Sequence, residues 1–88
     1  MHAVVVNVTI ADRDAAVAEL QDQVVPMVSG APGFVAGYWI ALSDDKGMSV
    51  VVLDSEASAQ GVAGQVAPPP GSAVTIENVE VGEVVAHA

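Results

Sequence analysis

Ala31-Pro32-Gly33-Phe34-Val35-Ala36-Gly37-Tyr38-Trp39-Ile40-Ala41-Leu42 is the stretch on which the fold turns. It holds the only Phe, the only Tyr and the only Trp of the chain. Pro32-Gly33 is a turn signal that ends the helical pattern before it. The residues that follow read as a buried strand over 33–42. On strand alternation Phe34, Ala36, Tyr38, Ile40 and Leu42 point one way, and Val35, Gly37, Trp39 and Ala41 the other. Gly37 shares its face with Trp39 and leaves space beside the ring.

Upstream, residues 3–10 (AVVVNVTI) form a β-branched run, hence a strand. Val4, Val6, Val8 and Ile10 make a purely apolar face; Ala3, Val5, Asn7 and Thr9 make a mixed one. Both faces are apolar enough to need cover. Residues 11–29 follow as a helix, with Val17, Leu20, Val24 and Met27 or Val28 as one buried stripe. Asp12 and Asp14 suit the positive end of its dipole. Pro26 removes the hydrogen bond to residue 22, which predicts a kink or the end of the regular helix. Gly30 follows as its C-terminal cap.

Downstream, Ser43-Asp44-Asp45-Lys46-Gly47 reads as a hairpin loop, and 48–53 (MSVVVL) as the third strand. Asp54-Ser55 caps a second helix over 56–66. Gly61 and Gly64 weaken that helix by about 1 kcal/mol each relative to Ala. Its small residues Ala57, Ala59 and Ala63 allow close packing on a sheet. Residues 67–71 (APPPG) are a stiff connector. The last strand spans 73–86. Its apolar parity shifts from Val74 and Ile76 to Val79, Val81 and Val85, which predicts a bulge near Glu77-Asn78. Gly82 marks a second irregularity or a close backbone approach.

The order βαββαβ is the ferredoxin-like split unit: α+β, with a four-stranded antiparallel sheet ordered 4-1-3-2 and two helices on one face. The other sheet face has no cover from its own chain and is too apolar to stay wet. Two such sheets packed across a two-fold axis would bury it.

Composition agrees. The chain of 88 residues reads as a single domain, residues 1–88, with 52% hydrophobic residues and no cysteine. A core this small is marginal without a staple, so a homodimer is the natural source of further stability. There are 2 basic and 11 acidic residues, for a net charge of −9. Nothing here neutralises phosphates, which argues against nucleic acid, and the acidity argues against an anionic membrane surface. No apolar run nears the roughly 20 residues of a membrane span. No signal peptide precedes the first strand, so a cytoplasmic protein is expected. The usage of Ala, Val and Gly over Lys and Arg suggests a bacterial source.

Over nearly its whole length the chain resembles the dimeric α+β barrel superfamily. The likeness is carried by Val24-Val25-Pro26, by the Ala31–Trp39 run, by Ser49-Val50-Val51-Val52-Leu53-Asp54-Ser55-Glu56-Ala57 and by Glu83-Val84-Val85. The superfamily includes antibiotic-biosynthesis-type monooxygenases, haem-degrading monooxygenases and many short stand-alone bacterial proteins with no assigned reaction. The likeness is strongest to the last group. Such a signature speaks for fold far more than for activity.

The resemblance gives Asn7 its interest, because some of the monooxygenases place an Asn on this strand, pointing into the pocket between sheet and helices. There it can hold a substrate oxygen or a peroxide. Parity sets a condition: if Val4, Val6 and Val8 face the helices, Asn7 faces the partner sheet. Tyr38 and Trp39 are adjacent, so one faces the helices and the other the partner sheet. Each reads as core or interface packing, or as an aromatic wall of a small-molecule pocket. Met48 and Met27 are apolar candidates for the same wall. The expected ligand-binding set is therefore Asn7, Tyr38, Trp39 and Met48, with no catalytic residue assigned.

His2 and His87 lie at opposite ends of strands that pair in this fold, close to Glu83. They read as solvated chain ends rather than a metal site. The haem-degrading relatives use a His on the second helix as axial ligand; here 55–66 contains no His, Cys, Met or Tyr. No cofactor and no metal are expected. Asp12/Asp14, Asp44/Asp45 and Glu77/Glu80/Glu83 read as a helix start, a loop tip and a solvated face, with no pair spaced for acid–base work. Two functions stay open: a dimer that binds a small apolar ligand without a catalytic apparatus, or a cofactor-independent monooxygenase or isomerase-like enzyme on a small aromatic or apolar compound.

Overall fold

The computed structural model describes residues 1–65 and 73–88. The connector expected at 67–71 lies outside the described residues.

Four strands form one antiparallel sheet: β1 (His2–Ile10), β2 (Phe34–Ala41), β3 (Lys46–Leu53) and β4 (Val74–Glu83). Their order is β2-β3-β1-β4, the split βαββαβ arrangement with the β-branched β1 at its centre. Antiparallel pairing sets Val4 opposite Val51 on one side and Val81 on the other, and Val6 opposite Ser49 and Val79. Partners in register share a face. Val4 and Val6 are buried and pack with Val28, Ala59 and Val62 of the helical layer. Val4, Val6 and Val8 therefore face the helices, and Ala3, Val5, Asn7 and Thr9 face away.

Two bulges adjust the sheet. In β4 the register shifts so that Asn7 pairs with Asn78 and Val8 with Ile76. Glu77 is the extra residue, where the change of apolar parity places it. The Thr9 hydroxyl donates to Glu77 Oε1 at 2.8 Å, holding the bulge from the helix-free face. Gly82 pairs regularly with Ala3 and has open space around it, so it marks neither an irregularity nor a close approach. The second bulge is at Val35: Phe34 pairs with Leu53, but Ala36 pairs with Val52. Unbroken alternation puts Phe34 beside Tyr38. The bulge instead turns it to the helix face, against the core and next to Gly37.

The first helical region is three pieces rather than one kinked helix. It runs as α1 (Arg13–Glu19), a π-helical turn (Leu20–Val24) and α2 (Val25–Ser29). Asp12 caps α1, accepting from the Ala15 amide at 3.2 Å. The Val25 N–H reaches the Leu20 carbonyl five residues back. In an unbroken α-helix the Pro26 ring would meet the Asp22 carbonyl; the wider turn makes room. Gly30 caps α2 with right-handed dihedrals, and among the described residues the positive-φ glycine is Gly33, at φ 80° in the Pro32-Gly33 turn. The Gly33 carbonyl accepts from the Asp54 amide at 2.8 Å, tying that turn to the next helix start.

Ser55 caps α3 (Glu56–Gln65), its hydroxyl accepting from the Ser58 amide at 3.2 Å. Ala59 and Val62 are the buried residues of α3, which packs on β1, β3 and β4. α2 packs on β2 through the buried Val28, whereas α1 and the π turn touch the sheet little. The core is thus pinned at one end, around Val4 and Leu53, the largest side chains that are fully buried.

Candidate functional site: an apolar cavity beneath α1

Because α1 stands off the sheet, a cavity of about 410 Å³ opens between them. Its floor is the helix face of the sheet, with Val6, Val8, Trp39, Val51 and Ile76; its roof is Val17, Leu20, Val24 and Met27. The roof comes from the apolar stripe of the first helical region, whose Val28 is buried and whose Val24 packs against the core, while Val17 and Met27 stay open. Val17 is 43% exposed and Met27 57% exposed. The π turn supplies Leu20 and Val24, so the break imposed by Pro26 lies directly over the cavity. Polar groups are few: Arg13, Glu19, Ser49 and Gln65. Gly47 is buried in the floor; a β-carbon there would lie 3.1 Å from Ile10 Cδ1 and 3.2 Å from Val8 Cγ2.

Trp39 lines this cavity, and Met27 is part of its roof. Met48 also borders it, although its register partners are Asn7 and Ile40, on the opposite sheet face. Asn7 belongs to that opposite face. It lies between Asn78 and Met48 and lines a separate hollow of about 250 Å³ with Thr9, Leu42, Lys46 and Glu77. Tyr38 pairs with Val50 on the same face and is 60% exposed. The expected set of Asn7, Tyr38, Trp39 and Met48 is therefore divided between the two sides of the sheet, with Tyr38 and Trp39 on opposite faces as their adjacency requires.

Arg13, Glu19, Ser49 and Gln65 are the polar cavity residues that sequence reading passed over, with Glu19 expected on the water-facing side of its helix. The signal for Arg13 was present: it is the only arginine in a strongly acidic chain and opens the helix with the apolar stripe. At the other end of the sheet, His2 Nε2 lies 3.5 Å from Glu56 Oε2, and His2 Nδ1 is buried without a hydrogen-bond partner. His87 lies beyond β4 and is exposed. Among the described residues no group of three or more His, Asp and Glu side chains is placed to hold a metal ion.

The architecture is α+β of the ferredoxin-like class, one helical layer on one antiparallel sheet. No protein-family model matches the sequence, and no curated protein matches it. Among solved structures the chain is similar to the haem degrader MhuD from Mycobacterium tuberculosis, solved with two haems bound in its active site. The two are 19% identical over 97% of this chain and 98% of that one, with a TM-score of 0.56. At that identity the likeness shows a shared fold. Among the described residues no helix is long and apolar enough to cross a membrane.

Proposed function

We propose that this chain is a cytoplasmic homodimer that takes a small apolar molecule into the cavity beneath α1. The observation that carries the reading is the cavity itself. It is walled by valine, leucine, isoleucine, methionine and one indole, with a few polar groups, which is the make-up of a small-molecule site. The roof supports it too, because the exposed side chains of Val17 and Met27 gain from an apolar occupant. The dimer is supported by the helix-free sheet face, where Tyr38 and Ile40 are exposed beside Val50 and Met48. Packing two such faces together would remove that surface from water.

A second reading is a monooxygenase or isomerase-like enzyme on a small aromatic compound, favoured by the fold shared with the haem degrader. The cavity lining offers two thioethers, Met27 and Met48, and no imidazole, thiol or phenol. The imidazole of His2 lies at the far end of β1, against Glu56. An enzyme here would act through shape and the few groups at Arg13, Ser49 and Trp39.

Native mass spectrometry of the purified protein, beside a denatured sample, tests the proposal. A dimer carrying a mass that is lost on denaturation is the expected result. A bare monomer that takes up no apolar compound overturns it.

A further inference from the structure

Resting on that binding reading, we infer that the ligand is an apolar monocarboxylate: its hydrocarbon body lies over Trp39 and its head group is held by Arg13. The chain has 11 acidic and only 2 basic residues, and one of those two borders the cavity. Arg13 opens α1, at the end of the cavity away from the packed core around Leu53. Among the described residues its guanidinium has one ion-pair contact, Asp44 Oδ1 at 3.8 Å, between side chains that are 55% and 101% exposed. That is a long, solvated pair, and such pairs contribute little. The planar fork of N–H donors is thus left for a carboxylate, which it matches in a bidentate geometry.

Glu19 is the other charged group on the cavity, and it is already engaged in an interaction of its own. A cationic ligand would meet Arg13 at the margin and be repelled. An uncharged ligand would leave Arg13 without a role. An amphipathic acid satisfies both parts of the site, burying its apolar body under Val17 and Leu20 and leaving its charge at the edge.

Trp39 is the only tryptophan and lines the cavity, so its emission reports occupancy. The test is a fluorescence titration of the full chain with decanoate, decanol and decylammonium, each below its aggregation concentration. Decanoate is expected to bind up to about fivefold more tightly than decanol, the upper end of what one exposed ion pair contributes. Arg13→Gln should bring decanoate down to decanol and leave decanol unchanged. Asp44→Asn, which removes the competing carboxylate, should tighten decanoate alone. Equal binding of all three, or tightest binding of decylammonium, overturns the head-group assignment while leaving the cavity reading intact. If none of the three shifts the emission, the cavity reading itself fails.

Discussion

The indole of Trp39 lies back over Gly37: a β-carbon on Gly37 would come within 2.8 Å of Cη2 and 2.9 Å of Cζ3 of the ring. Both face the helices, separated by one residue of the opposite face. Gly37 is thus the seat of the one aromatic ring in the cavity floor. Gly37→Ala must lift the ring into the cavity. The expected cost is about 1–3 kcal/mol, the range for overpacking. The emission maximum of Trp39 should shift with it. An unchanged spectrum and melting temperature would show the ring to lie elsewhere.

The two ends of the helical layer should respond differently to truncation. Leu53 is fully buried, so Leu53→Ala is expected to cost about 2–5 kcal/mol. Val17 faces the cavity and is 43% exposed, so Val17→Ala should cost well under about 1 kcal/mol without ligand. Urea unfolding of both variants gives the comparison. A large loss for Val17→Ala would mean that α1 closes onto the sheet in solution.

α1 depends on its cap more than α3 does, because it touches the sheet little. Asp12→Ala removes the side-chain acceptor for the Ala15 amide and should cost about 1 kcal/mol. The loss should be local. Amide exchange should rise across Arg13–Glu19 and stay constant in α3, where Ala59 and Val62 are buried. A uniform rise through the whole chain would place α1 within the global folding unit.

The helix-free face supplies a test of assembly. Tyr38 and Ile40 are two of its exposed apolar residues, both on strand β2. Tyr38→Glu is expected to convert a dimer to a monomer in light scattering after gel filtration, because an unpaired buried carboxylate is costly. Met27→Glu, on the cavity roof, should leave the mass unchanged. A dimer that survives Tyr38→Glu would place the contact on another surface.

Much of the fold was legible because it rests on periods that the chain keeps. The β-branched run of β1, the Pro32-Gly33 turn and the parity change in β4 each have a single local meaning, and all appear as expected. The misses come from single insertions that local patterns do not mark. Nothing around Val35 distinguishes a bulge from regular alternation, yet that bulge carries Phe34 across the sheet. Pro26 announces a broken helix, but a kink and a π turn both make room for its ring, and the residue does not say which. The site was harder still. Asn7 was singled out by resemblance, while its parity with Val5 and Thr9 already set it on the face opposite Val4 and Val6. Arg13 has no periodicity to betray it; only the stand-off of α1 turns a surface charge into a cavity margin.

The extra residue at Glu77 gives β4 one unit of slack. Asn7–Asn78 and Val8–Ile76 are already the pairs that a regular ladder would make, with Glu77 looped between them. Losing Glu77 would let Ile76 and Asn78 become neighbours without turning any other side chain over. Losing a residue elsewhere between Val79 and Glu83 would swing the rest of the strand to the wrong face unless its pairing shifted. The length of β4 is thus free to vary at one place, where the Thr9–Glu77 hydrogen bond fastens it.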